Sequence, residues 1–331
     1  MAKKRLLILI DCYPTLSQTY KENEIKYLYP DFEVVIGSTT PPHAQYRQHF
    51  PYQPIRNPDD LLALIKSFQP DIVHGHYVFT ADLLHFAAVQ SGKFFTVRFH
   101  SFDVLGATPD AIRRFLPFLN SDECAGILAF PFLVPYLASL GIKASKLVPD
   151  WPVVDYDRFH DRAPNGRSIL NIGACIPKKN VEFFVDIAAS MRDREFIFYP
   201  IEYDREKLIA YNHALGDPVL IKDTVEPYAM AAVYKQCEWL LYTASKELPT
   251  VGWPMSIAEA QASGVGVLVQ NIRPDLKDYV GDAGYVFDTI DEARDILSRP
   301  YPEEMRQAGF EQARRCDIRS NIRKLHRLWG E

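Results

Sequence analysis

The sequence predicts an α/β fold of two doubly wound parallel sheets, and three observations carry that expectation. The chain has 331 residues, room for about two domains at roughly 150 residues each. Its first apolar run, Leu6-Leu7-Ile8-Leu9-Ile10, is continuous rather than alternating, as suits a strand buried on both faces of a parallel sheet. Strand-like runs then alternate with helical patterns of about ten residues, which is how βαβ units read.

Taken in order, Leu6–Ile10 is the first strand, and further strands are expected at Glu33–Ile36, Asp71–His74, Phe94–Arg98 and Gly126–Ala129. Helical patterns fall between them at Asp59–Phe68 and Ala81–Ser91, and another follows at Val134–Leu140. Around Lys146 to Pro152 the alternation pauses, which places a domain boundary near residue 150. A second series starts at Ser168–Gly173 and continues with strands at Glu195–Tyr199, Val219–Ile221, Trp239–Tyr242 and Gly266–Val269. Its helices are expected at Val181–Met191, Arg205–Leu215, Tyr228–Gln236 and Ser256–Ser263. Met305 to Trp329 reads as one last helix, basic at Arg306, Arg314, Arg315, Arg319, Arg323, Lys324 and Arg327. Two similar halves imply a cleft where the carboxyl ends of both sheets face a ligand.

Composition excludes several classes. Hydrophobic residues at 47% and charged residues at 24% match a packed globular chain and rule out a disordered or fibrous one. Lys plus Arg is 37 against Asp plus Glu at 42, so the net charge of −5 argues against a nucleic-acid partner. Aromatics at 13% fit a ligand cleft or large flat cores. Cys12, Cys124, Cys175, Cys237 and Cys316 are dispersed and odd in number, which reads as reduced thiols in a cytoplasmic protein. The apolar run before Asp11 is too short for a signal-peptide core or a membrane span.

Asp11-Cys12-Tyr13-Pro14 follows the first strand where a dinucleotide site would need Gly-x-Gly-x-x-Gly, and neither a Walker sequence nor His-Glu-x-x-His occurs. Ser17, with Glu22 and Glu24 beyond, reads as the cap of a helix, or as the place where exposed amides meet an acceptor or anion. His74 and His76 share one face of a regular strand, but no third ligand is evident and no metal site is expected. Arg113-Arg114-Phe115-Leu116-Pro117-Phe118-Leu119 suits either a helix on an anionic membrane or an ordinary packed helix with snorkelling arginines.

The most informative stretch is Glu247-Leu248-Pro249-Thr250-Val251-Gly252-Trp253-Pro254-Met255-Ser256-Ile257-Ala258-Glu259-Ala260, continuing through Gly264 to Val269. It leaves a buried strand, turns through Gly and Pro, and starts a short helix. Such a helix start offers amides to a diphosphate, and a carboxylate one turn in can accept both hydroxyls of a ribose. The stretch resembles the retaining glycosyltransferases of family 4, in which a Glu-x-Phe-Gly loop precedes a helix with a second Glu and Ala-x-x-x-Gly-x-Pro-Val. Pro14-Thr15-Leu16-Ser17-Gln18-Thr19-Tyr20 is similar to the opening of polysaccharide-assembly members. Asp71-Ile72-Val73-His74-Gly75-His76, Phe99-His100-Ser101-Phe102-Asp103, Val148-Pro149-Asp150 and Asn171-Ile172-Gly173 with Lys178-Lys179-Asn180 resemble further family segments in the same order.

The resemblance implies the two-domain GT-B fold, with Rossmann-like domains facing a cleft. Residues 1–150 would form the acceptor domain, 151–310 the nucleotide-sugar donor domain, and 311–331 a helix returning to the first domain. It implies donor contacts from Gly173, Lys178, Lys179, Trp253, Pro254, Met255, Ser256 and Glu259, and acceptor-side contacts from Ser17 and Thr19. His100 and Glu247 would be the catalytic pair at the sugar, although His100 also reads as a capping or core histidine. The implied reaction is transfer from a nucleotide sugar to a hydroxyl of a glycan or lipid-linked acceptor, with retention, no divalent metal and no cofactor beyond the co-substrate. The implied location is cytoplasmic, with peripheral contact at the inner membrane face. Asp155-Tyr156-Asp157 matches the metal motif of the other glycosyltransferase class, but lies in the linker.

Two positions depart from the family. Val251 stands where its first Glu is found, so Glu247 fills that role only through a longer loop, and Ala174 stands where an arginine is usual. These departures support a second reading, a catalytically weak glycosyltransferase-like binding or scaffold protein that partners an active enzyme. A hydrolysing epimerase on the same architecture is a third.

Overall fold

The computed structural model describes residues 3–15, 17–42 and 50–330. The first sheet contains β1 (Arg5–Cys12), β2 (Glu33–Thr40), β3 (Tyr52–Pro54), β4 (Ile72–His76), β5 (Phe95–Arg98), β6 (Cys124–Ala129) and β7 (Leu147–Pro149). Its order is β3-β2-β1-β4-β5-β6-β7, with every pair parallel. The second contains β8 (Ser168–Cys175), β9 (Phe196–Tyr203), β10 (Val219–Ile221), β11 (Cys237–Tyr242), β12 (Gly266–Gln270) and β13 (Gly284–Phe287), ordered β10-β9-β8-β11-β12-β13 and also parallel.

The chain divides into two compact units, Met1–Val153 with Ile318–Glu331, and Val154–Asp317. The first boundary lies just beyond the expected residue 150. The basic C-terminal segment is two helices, Glu303–Arg314 and Ile318–Leu328, rather than one. They separate at a turn where the backbone N–H of Cys316 donates to Ala313 and that of Asp317 to Arg314. Glu303–Arg314 belongs to the second unit and Ile318–Leu328 to the first, so the chain changes unit at Asp317 rather than near residue 310.

Alternation along each buried strand sets the two faces of the first sheet. Leu7, Leu9, Val73, Phe95, Val97 and Ile127 join one core with the helix Ala81–Ser91. Leu6, Ile8, Ile10, Ile36, Ile72 and Leu128 join the opposite core, together with Ile318, Ile322, Leu325 and Trp329. Register then determines where the polar residues go. His74 pairs with Thr96 and His76 with Arg98 across β4 and β5, so all four point to the face that the C-terminal helix and the helix Thr19–Leu28 cover. In the second unit, Ile169, Phe196, Phe198, Trp239, Leu241, Leu268 and Phe287 form the core against the helix Val181–Ala189.

Ser17 does not cap the first helix. The N-cap is Gln18, with no side-chain cap, and the Thr15 hydroxyl donates to the Gln18 side chain instead. Leu16, within the same motif, lies outside the described residues. In the Arg113–Leu119 stretch, Phe115 and Leu119 are buried in the first unit's own core, as is Ile112 just before it, while Arg113 and Arg114 remain exposed. No helix among the described residues is long and apolar enough to cross a membrane.

Candidate functional site

Each sheet carries polar residues at the carboxyl ends of its central strands, where parallel α/β sheets place ligands. In the first unit these lie at the ends of β4 and β5. Glu24 of the helix Thr19–Leu28 reaches the strands with one carboxylate oxygen 2.7 Å from His74 Nε2 and 3.3 Å from His76 Nε2. Its other oxygen accepts from Arg98 Nε at 2.7 Å. Burial alone would raise the Glu24 pKa, but Arg98, His74 and His76 outweigh it and hold the carboxyl well below its usual range. Arg98 also donates to Asp150, which accepts from Lys324 at 2.6 Å.

His100 follows β5 and is held on several sides. Its Nε2 lies 3.0 Å from His76 Nδ1, with the two rings nearly coplanar at 9°. The Tyr20 ring packs on the His100 ring at 4.2 Å, tilted by 31°, and the Tyr77 ring at 4.8 Å, tilted by 55°, and the two tyrosine hydroxyls hydrogen-bond each other. Its backbone N–H donates to Asp103, which also accepts from Val78 N–H. Burial lowers the His76 pKa to about 4 and pushes that of His100 well down, so both rings are neutral near pH 7. Burial raises Asp103 to about 7 against those backbone bonds. Lys21 pairs with Asp11 at 2.6 Å and sits over the Tyr77 ring.

Glu24, His74 and His76 converge as two histidines and a carboxylate around a metal would, so a third donor exists that the sequence did not reveal. Trp329 Nε1–H donates to Thr96 Oγ1, which lies 2.8 Å from His74 Nδ1, while His74 Nε2 faces the Glu24 carboxylate. Arg98 holds the second carboxylate oxygen, so Glu24 is engaged on both sides.

In the second unit, Gly173 near the end of β8 has φ 147°, a conformation open to glycine. A Cβ there would meet only Lys179 Cε, at 3.9 Å, so free space adjoins Gly173 and Lys179. The turn bearing both lysines is tied to the end of β11. Thr243 Oγ1 donates to the Lys179 carbonyl at 3.1 Å, Ser245 N–H donates to the Lys178 carbonyl at 3.0 Å, and Asn171 donates to Thr243. Lys179 Nζ donates to the Tyr242 hydroxyl and lies 4.5 Å from that ring, with no ion pair among the described residues. Burial and then Lys178 bring its pKa down to about 7. Burial also lowers Lys178.

The stretch singled out in sequence divides in function. Trp253 is buried, stacks on Tyr279 at 4.8 Å and 3°, and donates from Nε1 to Asp275, so its ring serves packing. The helix Met255–Ala262 starts after Pro254 with no side-chain cap on its first amides, beside Met255 and Ser256. Glu259 accepts from the Tyr234 hydroxyl at 2.9 Å, and burial raises its pKa to about 7 against Tyr234 and Arg158. Val251 is buried, and its carbonyl and that of Pro249 accept from Arg273, which also pairs with Asp275 through two bonds. Arg273 is thereby committed to holding the loop, a role the sequence did not reveal. Glu247 is exposed, its carboxylate has no partner among the described residues, and Ser245 Oγ accepts from its backbone N–H. The Ser245 bond to Lys178 brings the Glu247 loop to the lysine turn. His100, Ser17 and Thr19 belong to the other unit. Asp155 is buried and Asp157 exposed, so these two carboxylates do not share one environment.

The match by family model falls on the second unit. Residues 166–298 match the model of the group 1 glycosyl transferases. No curated protein sequence matches the chain at a significant level. Three solved structures share the fold over 98% of this chain. Anabaena HepE in complex with UDP and glucose has a TM-score of 0.79 at 12% identity, with 99% of its own chain covered. Sucrose-phosphate synthase from Thermosynechococcus elongatus has 0.75 at 12%, with 98% covered. The lipopolysaccharide outer core galactosyltransferase WaaB has 0.68 at 15%, also with 98% covered. The two doubly wound sheets are the GT-B fold that the sequence resemblance implied.

Proposed function

We propose that the chain transfers a sugar from a nucleotide sugar to a hydroxyl of a glycan or lipid-linked acceptor, with the donor on the second unit. The match of residues 166–298 and the UDP ligands of HepE support this reading, and one observation in this chain carries it: Lys179. A partly buried ammonium with no carboxylate partner, beside open space at Gly173, is an incomplete electrostatic site. A diphosphate would complete it. The uncapped amides near Met255 and Ser256 would add dipolar support, and Glu259 would accept the ribose hydroxyls.

In the transfer, the bond from the anomeric carbon to the phosphate oxygen breaks and a bond from that carbon to the acceptor oxygen forms. The acceptor hydroxyl proton passes to the departing phosphate oxygen, and the nucleoside diphosphate leaves. Retention by front-face attack would need charge stabilisation at the leaving group, from Lys179 and amides, more than an enzyme nucleophile. Glu247 and His100 would contact the sugar, and Ser17 and Thr19 the acceptor. The expected chemistry needs no divalent metal. A cytoplasmic location, with exposed Arg113 and Arg114 meeting an anionic inner membrane face, accords with a lipid-linked acceptor.

The test is calorimetric titration of the chain with nucleotide sugars and their free diphosphates, UDP-glucose among them, without metal. One nucleotide should bind, and Lys179→Ala should weaken it about ten- to hundred-fold through loss of a charge-assisted contact. Absence of binding across the panel in folded protein would favour the scaffold reading, for which Ala174 and Val251, both buried in place of the usual charged residues, already speak.

A further inference from the structure

We infer that Glu24 is a positioning residue for His100: acting through His76, it fixes the His100 tautomer so that Nδ1 offers a lone pair to a substrate hydroxyl. The inference builds on the transferase reading and adds the polarity of this contact.

The derivation is proton bookkeeping along a buried chain. Arg98 donates to one oxygen of Glu24 and His74 to the other, so the carboxylate is ionised and can only accept. His76 Nε2 is fully buried, makes no hydrogen bond among the described residues, and has that second oxygen 3.3 Å away. A lone pair facing an anion at that distance is repelled and an N–H is attracted, so the His76 proton resides on Nε2. His76 Nδ1 is then an acceptor, and the group 3.0 Å from it, His100 Nε2, is the donor. A neutral His100 with its proton on Nε2 has a bare lone pair on Nδ1. His100 Nδ1 makes no hydrogen bond among the described residues, and His100 retains 8% exposure where Glu24, His74 and His76 have none. A ligand group meeting this atom must be a donor, and a sugar hydroxyl is one while a phosphate oxygen is not.

The same geometry makes Glu24→Gln a sharp test. Arg98 can only donate, so the new carboxamide must turn its oxygen toward Arg98 and its NH2 toward the histidines, and His74 moves its proton to Nδ1, where Thr96 Oγ1 can accept it. His76 Nε2 then becomes an acceptor, its proton moves to Nδ1, and His100 must carry its own proton on Nδ1 instead of Nε2.

The experiment is long-range proton–nitrogen NMR of the full chain labelled with 15N-histidine, with the His100 signals assigned from the spectrum of His100→Asn. Wild-type chain should show a protonated Nε2 and a bare Nδ1 at His100, and folded Glu24→Gln should show the reverse. His100 with Nδ1–H in the wild type overturns the inference whether or not any variant folds, and so does an unchanged tautomer in folded Glu24→Gln. In steady-state assays Glu24→Gln should lower kcat about ten-fold, one lost neutral hydrogen bond, with the donor KM unchanged. A parallel loss in donor KM would mark a merely structural role and overturn it. The spectra need no turnover, so a chain with the expected tautomers and no donor binding would sink the transferase reading while leaving the positioning of His100 standing.

Discussion

Lys179 gives the second unit its pH dependence. Its ammonium is held near pKa 7 by burial beside Lys178, so the free chain carries the charge below pH 7 and loses it above. A diphosphate binds the charged form, so donor affinity should fall up to ten-fold per pH unit above pH 7. Calorimetry at pH 8 in buffers of different ionisation enthalpy should register proton uptake on binding. Lys179→Arg should bind without that slope, because a guanidinium keeps its proton. A pH-independent affinity in the parent chain would remove Lys179 from the donor site. The sequence showed the lysine and its companion glycine, but not the Tyr242 ring that shields the charge, because three helices and two strands intervene before the strand that carries Tyr242. For the same reason His100 was legible as a candidate and Glu24 was not. Glu24 read as an ordinary acid near the start of a helix, and only the pairing of β4 with β5 under that helix turns it into the acceptor for Arg98 and His74.

At the scale of elements, the long central strands could be read because burial on both faces leaves an unbroken apolar run, as in β1. The edge strands β3, β7 and β13 could not. β3 and β7 have three residues each and end in Pro54 and Pro149, a composition that looks like turn, and β13 opens on Gly284. The C-terminal helix is part of the first unit's core. Ile318, Ile322 and Leu325 fill the core over β1, Leu328 lies where a Cβ on Gly126 of β6 would collide with it, and Trp329 donates to Thr96 beneath the histidines. Leu325→Ala should therefore cost about 2–5 kcal/mol, the range for a fully buried leucine. Chemical denaturation followed by Trp329 fluorescence, with the other three tryptophans replaced by phenylalanine in both the reference chain and the variant, would measure it. A loss below about 1 kcal/mol would mean that the helix is a loose cover rather than part of the core.

For the whole molecule, the consequence is that the second unit is continuous in sequence while the first is assembled from both ends of the chain. The two ends of the second unit meet: Val154 pairs with Asp317 in a parallel bridge, and Val154 N–H donates to the Cys316 carbonyl at 2.8 Å. A segment whose ends touch and whose core is its own has the anatomy of a domain inserted into another, and such segments tolerate excision. The fragment 154–317 should therefore fold alone and keep Gly173, Lys178, Lys179 and Glu259 in place. Its affinity for a free nucleoside diphosphate should lie within a few-fold of the intact chain, while transfer, which on this reading needs His100, should be absent. Far-ultraviolet circular dichroism and the same calorimetric titration check both halves of the claim. A folded fragment that binds no diphosphate, where the intact chain does, would mean that residues of the first unit hold the donor. A fragment that fails to fold would show that the bridge at Val154 and Asp317 closes the unit only when Met1–Val153 and the C-terminal helix are present.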